Sequence, residues 1–140
     1  MPDNQDTIII HNNLDELNRV RESVKTFAGE YFDPLDLNRV ILAVDEALAN
    51  IMEHAYGDDS NASIELDMYR DGDAIRFTLR DRGPQFDPTG LPRPDLNEVG
   101  HNERDGGLGV FLFTTLMQAE YNRLPEGVNE LILSKKISLH

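Results

Sequence analysis

The chain has 140 residues, with 13 Lys and Arg against 26 Asp and Glu, a formal net charge of −13. That length suits one domain with a sizeable core, and 39% hydrophobic with 28% charged residues describes a globule rather than a disordered chain. The acidic pI near 4.5 argues against a nucleic-acid duplex as the main ligand, which needs clustered Lys and Arg, and either suits a basic protein partner or merely keeps the chain soluble. Zero cysteines exclude disulfides, a zinc finger and thiol catalysis. No apolar run approaches the roughly 20 residues of a membrane span. The N-terminus MPDNQDTIII is unlike a signal peptide. A cytoplasmic location without membrane attachment is the expectation.

No linker, low-complexity tract or repeat divides the chain, so residues 1–140 read as a single domain. The β-branched run Thr7–Ile10 predicts a strand. Asn12 or Asn13 is placed to cap a helix from about Leu14, with Glu16 in a capping-box position. Leu14, Leu17, Val20, Val24 and Phe27 give that helix an apolar face, and it ends near Gly29 or Tyr31. Asp33 and Pro34 form a start signal for a second helix, periodic from Leu35 to about Tyr56 and stopped by Gly57-Asp58-Asp59-Ser60. Residues 63–69 and 74–79 alternate polar and apolar on either side of an Asp71-Gly72 turn, which predicts a hairpin. From Asp81 to Asp105 four prolines and no periodicity mark a long loop, the kind that serves as a lid or is a disordered segment. Gly106-Gly107-Leu108-Gly109 opens a buried helix running to Met117. Two strands, Glu120–Leu124 and Asn129–Lys135, follow around Pro125-Glu126-Gly127. The order β-α-α-β-β-loop-α-β-β implies an α+β two-layer sandwich, a mixed, mostly antiparallel sheet with helices on one face.

Three segments carry chemistry. On the second helix Leu37, Ile41, Val44, Leu48, Ile51 and Ala55 form a core stripe, and Glu46, Asn50 and His54, four residues apart, form another roughly opposite. Between the stripes Ala43 and Ala47 let another group approach the backbone. A Glu can serve as general base and an Asn oxygen one turn away can ligate Mg²⁺; an ordinary solvated face is the alternative. Asp81-Arg82-Gly83-Pro84 follows a strand, where a carboxylate can accept from the amine of adenine and Gly83 admits the ring. A plain Pro/Gly turn is the alternative there. The glycines after Asp105 expose backbone N–H groups at a helix start, a site suited to phosphate, or else they serve as a hinge or for close packing. The segment is neither a dinucleotide-fold fingerprint nor a Walker A loop.

In this order the motifs resemble those of the Bergerat-type GHKL ATPases, and within them the anti-sigma factor serine/threonine kinases of bacterial partner-switching pathways. The resemblance rests on Val44-Asp45-Glu46-Ala47-Leu48-Ala49-Asn50, Glu53-His54-Ala55-Tyr56, Asp81-Arg82-Gly83-Pro84 and Gly106-Gly107-Leu108-Gly109-Val110, and it covers nearly the whole chain. It implies a histidine-kinase-like ATPase fold and ATP with Mg²⁺ as cofactors. Glu46 would be the general base and Asn50 the Mg²⁺ ligand. Asp81 would read the adenine amine with Gly83 beside the ring, and Gly106, Gly107 and Gly109, with Leu108 among them, would wrap the phosphates. His54 matches the family's position at the end of the first motif without an assigned step; a hydrogen bond inside the fold is the alternative. Arg104, the only Arg or Lys between Arg93 and Arg123, is the candidate for the terminal phosphate, with a solvated lid residue as the alternative. One departure is Pro84-Gln85, where many members have a second glycine and a small residue; it stiffens the start of the lid.

The resemblance implies a stand-alone kinase that phosphorylates a small STAS-type anti-sigma factor antagonist and, once that partner is phosphorylated and released, holds a sigma factor. The first helix and strand are a dimer face in the family, which makes a homodimer an expectation. Direct nucleic-acid binding is not expected. The rival is a non-catalytic, nucleotide-gated binding module in a partner switch without a sigma factor; retention of both Glu46 and Asn50 favours the enzyme, because a pure binder needs no base.

Overall fold

The computed structural model describes residues 5–13, 15–53, 63–85 and 113–139. Its main helices and strands, in chain order, are β1 (Gln5–His11), α1 (Glu16–Ala28), α2 (Pro34–Ile51), β2 (Ser63–Asp71), β3 (Ala74–Asp81), β4 (Gln118–Leu124) and β5 (Val128–Lys136). The strands form one sheet in the order β1-β2-β3-β5-β4. Every pairing among the described strands is antiparallel, so the mixed character allowed for above does not arise there.

Period-two alternation turns one side of the sheet toward the helices. Ile8 and Ile10, Ile64, Leu66 and Met68, Ile75, Phe77 and Leu79, and Leu131 and Leu133 are all buried in a single core. From the helices, Leu17, Val20, Val24 and Ala28 of α1 and Val40, Ala43, Val44, Ala47, Leu48 and Ile51 of α2 meet them. Leu37 and Ile41 are only half-buried, so the core stripe of α2 is centred further round than the sequence suggests, on the side of Val40, Ala43 and Ala47. Phe113 and Met117 bring the segment before β4 into the same core.

The other side of the sheet is polar. Thr7 of β1 donates to Asp67 of β2 (2.6 Å). Arg80 of β3 donates to Asp67 (2.6 Å), to Glu65 (3.1 Å) and to Glu130 of β5 (3.1 Å). Asn122 of β4 donates to the other Glu130 oxygen (3.1 Å). A hydrogen-bonded chain thus crosses all five strands. Burial works against the charge on Arg80, but the bonds from Asp67 and Glu130 outweigh it and raise its pKa.

Helix ends follow their local chemistry. Asp33 caps α2, its side chain accepting from Asp36 N–H (2.8 Å), with Pro34 in the first turn. α1 differs from expectation: it begins at Glu16, with Asp15 at its N-cap and no side-chain cap. Asn13 Oδ1 instead accepts from Asp15 N–H, and the Glu16 carboxylate reaches back to His11 N–H (3.1 Å), which fastens the helix start to the end of β1. The hydrogen bonds of Glu16 with Arg19 and His11 lower its pKa. Between the helices, Arg21 of α1 clamps both oxygens of Asp45 on α2 (2.9 and 3.1 Å). The C-terminal residues close over the α1–α2 turn, where Ser138 and Leu139 donate their N–H groups to Tyr31 O.

The β2–β3 turn demands one glycine. Gly72 has φ +63°, and a Cβ there would meet nothing within 4 Å, so any substitution carries only backbone strain. Gly72→Ala is therefore expected to cost about 1–2 kcal/mol. Chemical denaturation should show a lower midpoint at unchanged slope; an unchanged midpoint would contradict the strained turn.

Candidate functional site

α2 positions the first pair. Glu46 and Asn50 lie four residues apart, so their side chains leave one shoulder of the helix about 6 Å apart along its axis. Glu46 is half-buried. Asn50 is only 5% exposed, so the solvated-face alternative does not hold for it. Among the described residues neither its Oδ1 nor its Nδ2 has a hydrogen-bond partner. Buried amides are almost always satisfied, because leaving one unmet costs about 1–3 kcal/mol. An unmet amide beside a half-buried carboxylate is the pattern of a site kept for a ligand. Its oxygen has the hard-donor chemistry that Mg²⁺ requires, and its N–H₂ suits a phosphate oxygen. Among the described residues no group of three or more acidic, His or Cys side chains converges. Asn50 would hold a divalent cation through its amide oxygen.

The second part of the site lies at the end of β3. Asp81 continues the inward series Ile75, Phe77, Leu79, so its carboxylate is delivered to the helix side of the sheet, 5% exposed. Its Oδ1 accepts from Gly83 N–H (2.9 Å) and from Asn129 Nδ2 (3.0 Å). The Gly83 bond makes the turn predicted for this segment; the Asn129 bond ties that turn to β5. Both bonds end on Oδ1, and Oδ2 carries neither.

Asn129 was not singled out from the sequence. It sits directly opposite Asp81 in the β3–β5 register and is itself 5% exposed. Its Nδ2 also approaches Gly83 O (3.2 Å) and Pro84 O (3.0 Å), while its Oδ1 accepts from Tyr121 OH and Arg123 Nη1 (2.9 Å). Arg123 reaches Gly83 O as well (3.1 Å), and Arg82 donates to Glu126 O (3.4 Å). A signal for these residues does exist. Counting back by twos from Leu133 and Leu131 makes Asn129 inward-facing, and the pairing with β4 brings Arg123 opposite it. Of the remaining predicted residues, His54, Arg104, Gly106, Gly107, Leu108 and Gly109 lie outside the described residues, as does the body of the long loop.

From residue 10 to residue 135 the sequence matches the family described as the histidine kinase-like ATPase domain. The chain belongs to that family. Among curated relatives of this ATPase domain, the serine-protein kinase RsbW of Staphylococcus aureus (strain MSSA476) is 34% identical over 96 residues, 64% of this chain and 58% of the relative. The serine-protein kinase RsbW of Halalkalibacterium halodurans is 31% identical over 98 residues, 66% of this chain and 59% of the relative. The aligned part is thus less than two thirds of either relative. Among solved structures, the RsbU and RsbW domains of Rv1364c from Mycobacterium tuberculosis superpose with a TM-score of 0.66 at 19% identity, over 95% of this chain and 32% of that one. The histidine kinase domain from the Erythrobacter litoralis EL346 blue-light activated kinase gives 0.51 at 22% identity, over 89% and 61%. Both likenesses show the histidine-kinase-like ATPase fold.

The unmet amide yields a test of the site that needs no partner protein. Asn50→Leu replaces a buried, unsatisfied polar group with an apolar one of similar size. It should raise the stability of the ligand-free protein by about 1–3 kcal/mol while removing Mg²⁺-dependent nucleotide affinity. Thermal melts with and without Mg-ADP separate the two effects. A variant that melts lower and still binds Mg-ADP as wild type does would remove Asn50 from the site.

Proposed function

We propose that this chain is a single-domain, Mg-ATP-dependent protein serine/threonine kinase that acts as an anti-sigma factor. Its phosphoacceptor is a small STAS-type antagonist, and a sigma factor is the partner held once the antagonist is phosphorylated. A second copy bound through α1 and β1 belongs to the same proposal. The observation that carries the reading is the buried, unpartnered amide of Asn50 one turn beyond Glu46 on α2. Membership of the ATPase family supports it, as does the name serine-protein kinase borne by the relatives. Among the described residues no helix is long and apolar enough to cross a membrane.

In this reading Asp81 accepts the exocyclic amine of adenine, and Gly83 leaves room for the ring. Asn50 would hold Mg²⁺ at the phosphates. The ion, when bound, screens the phosphate charge that would otherwise repel the nucleophile. The work left to the chain is proton removal and alignment. As the partner's hydroxyl oxygen bonds to the terminal phosphorus, the bond from that phosphorus to the ADP oxygen breaks and ADP leaves with its electron pair. The hydroxyl proton passes to the Glu46 carboxylate. A positioned base typically contributes about 10²–10⁴-fold to such a rate. His54, Arg104, Gly106, Gly107, Leu108 and Gly109 belong to the same proposed nucleotide contacts.

Glu46→Ala should therefore reduce phosphate incorporation into the antagonist by about 10²–10⁴-fold with ATP affinity nearly unchanged. The measurement follows labelled phosphate and calorimetric ATP affinity in parallel, using a STAS-type antagonist protein from the same genome. Wild type that binds both ATP and antagonist yet transfers no phosphate would make the nucleotide-gated binding module the correct description.

A further inference from the structure

Asn129 is held more tightly than a strand residue needs to be for packing. Its side chain meets five groups. On one edge are the Asp81 carboxylate and the carbonyls of Gly83 and Pro84, all acceptors. On the other are Arg123, which can only donate, and Tyr121 OH. This division leaves one orientation for the amide, N–H₂ toward Asp81 and oxygen toward Arg123. With two N–H bonds and three acceptors, one of the contacts to Asp81, Gly83 and Pro84 is shared. The amide has no spare capacity for another partner.

The consequence falls on Asp81. Gly83 N–H and Asn129 Nδ2 both engage Oδ1 and belong to separate elements, one in the turn after β3 and one on the neighbouring strand. Two donors fixed by separate elements stop rotation of the carboxylate, so Oδ2 has a single direction. We infer that Asn129, locked by Tyr121 and Arg123 of the edge strand, is a positioning residue that fixes Asp81 Oδ2 for the nucleobase and so sets the site's preference for adenine over 6-oxopurines. This inference rests on the adenine contact of Asp81 under Proposed function.

The chemistry explains why immobility is the point. Adenine presents an amine at C6, which donates to a carboxylate. Hypoxanthine presents a carbonyl oxygen there, but its N1–H lies next to it and can donate instead. A carboxylate free to turn would meet that N1–H and accept both bases. A carboxylate held by Oδ1 cannot follow, and the 6-oxo base is left with two acceptors facing each other. Selectivity of this kind comes from leaving buried polar groups unpaired by the wrong ligand. Its source here lies one strand beyond the residue that touches the base. Arg123 is exposed along much of its length, and Tyr121→Phe keeps the ring, so both positions can be changed without opening the core.

The test compares calorimetric affinities for ADP and inosine diphosphate in wild type, in the double variant Tyr121→Phe/Arg123→Met, and in Asn129→Asp, which turns the donor facing Asp81 into an acceptor. Wild type should prefer ADP by about 5–150-fold. In both variants that ratio should collapse toward one, with ADP binding retained in the double variant. A purely structural role would instead weaken both nucleotides in parallel and keep the ratio, which would overturn the positioning role and leave Asp81 untouched. Wild type that binds the two nucleotides equally would overturn the adenine contact itself.

Discussion

A strand in an antiparallel sheet can present only every second side chain to the layer above it, and the site depends on that constraint. The residues of β3 that bury Ile75, Phe77 and Leu79 against the helices bring the next inward position, Asp81, to the same side. On β5 the inward series Leu133 and Leu131 ends at Asn129, directly opposite. The apolar rows that hold the two layers together therefore end in polar groups at one edge of the core. No separate element has to carry a carboxylate into the interior, because the sheet that makes the core delivers it. Burial then makes the hydrogen bonds obligatory, since a charged oxygen out of water must find donors.

α2 shows the opposite economy. Its core side is apolar, yet Asn50 sits within the protein with both amide atoms unmet among the described residues. Such a residue lowers the stability of the free protein, and under the proposed function a ligand that met it would return that stability, linking folding to binding through one side chain. Glu46, a turn earlier on the same shoulder, is half-buried, placed to meet both the interior and whatever approaches from outside. The neighbouring carboxylate, Asp45, points the other way and is occupied by Arg21 of α1. Two adjacent acids on one helix thus differ in setting: one fastens the helix pair and the other lies half-buried a turn before Asn50.

The strong periodicities were legible from the sequence. The β2–β3 hairpin, the Asp33-Pro34 helix start and the β4–β5 pairing depend on local pattern and turn chemistry, and the structure has them at nearly the stated bounds. The start of α1 was misplaced by two residues, because Glu16 turned back to His11 N–H rather than taking part in an Asn13 capping box. The burial of Asn50 could not be read from the helix period, which shows only that it lies off the core stripe; what covers that shoulder is a tertiary matter. Asn129, Tyr121 and Arg123 escaped notice for another reason. They carry no motif, and their importance comes from register across three strands. Parity along β5 was available as a clue, but only the pairing of β3 with β5 gives it a meaning.

The two sides of the sheet also limit how such a protein can change its length. Glu130 alternates with Asn129, and it anchors the chain of hydrogen bonds that runs from Thr7 through Asp67 and Arg80 to Asn122 on the polar side. One residue inserted within β5 would exchange the two, pushing a carboxylate into the core and turning the amide out to solvent. Staple and site would be lost together. Related sequences can therefore gain or lose residues at the Pro125–Gly127 turn and in the long connection before β4, while within β3 and β5 they are confined to substitution.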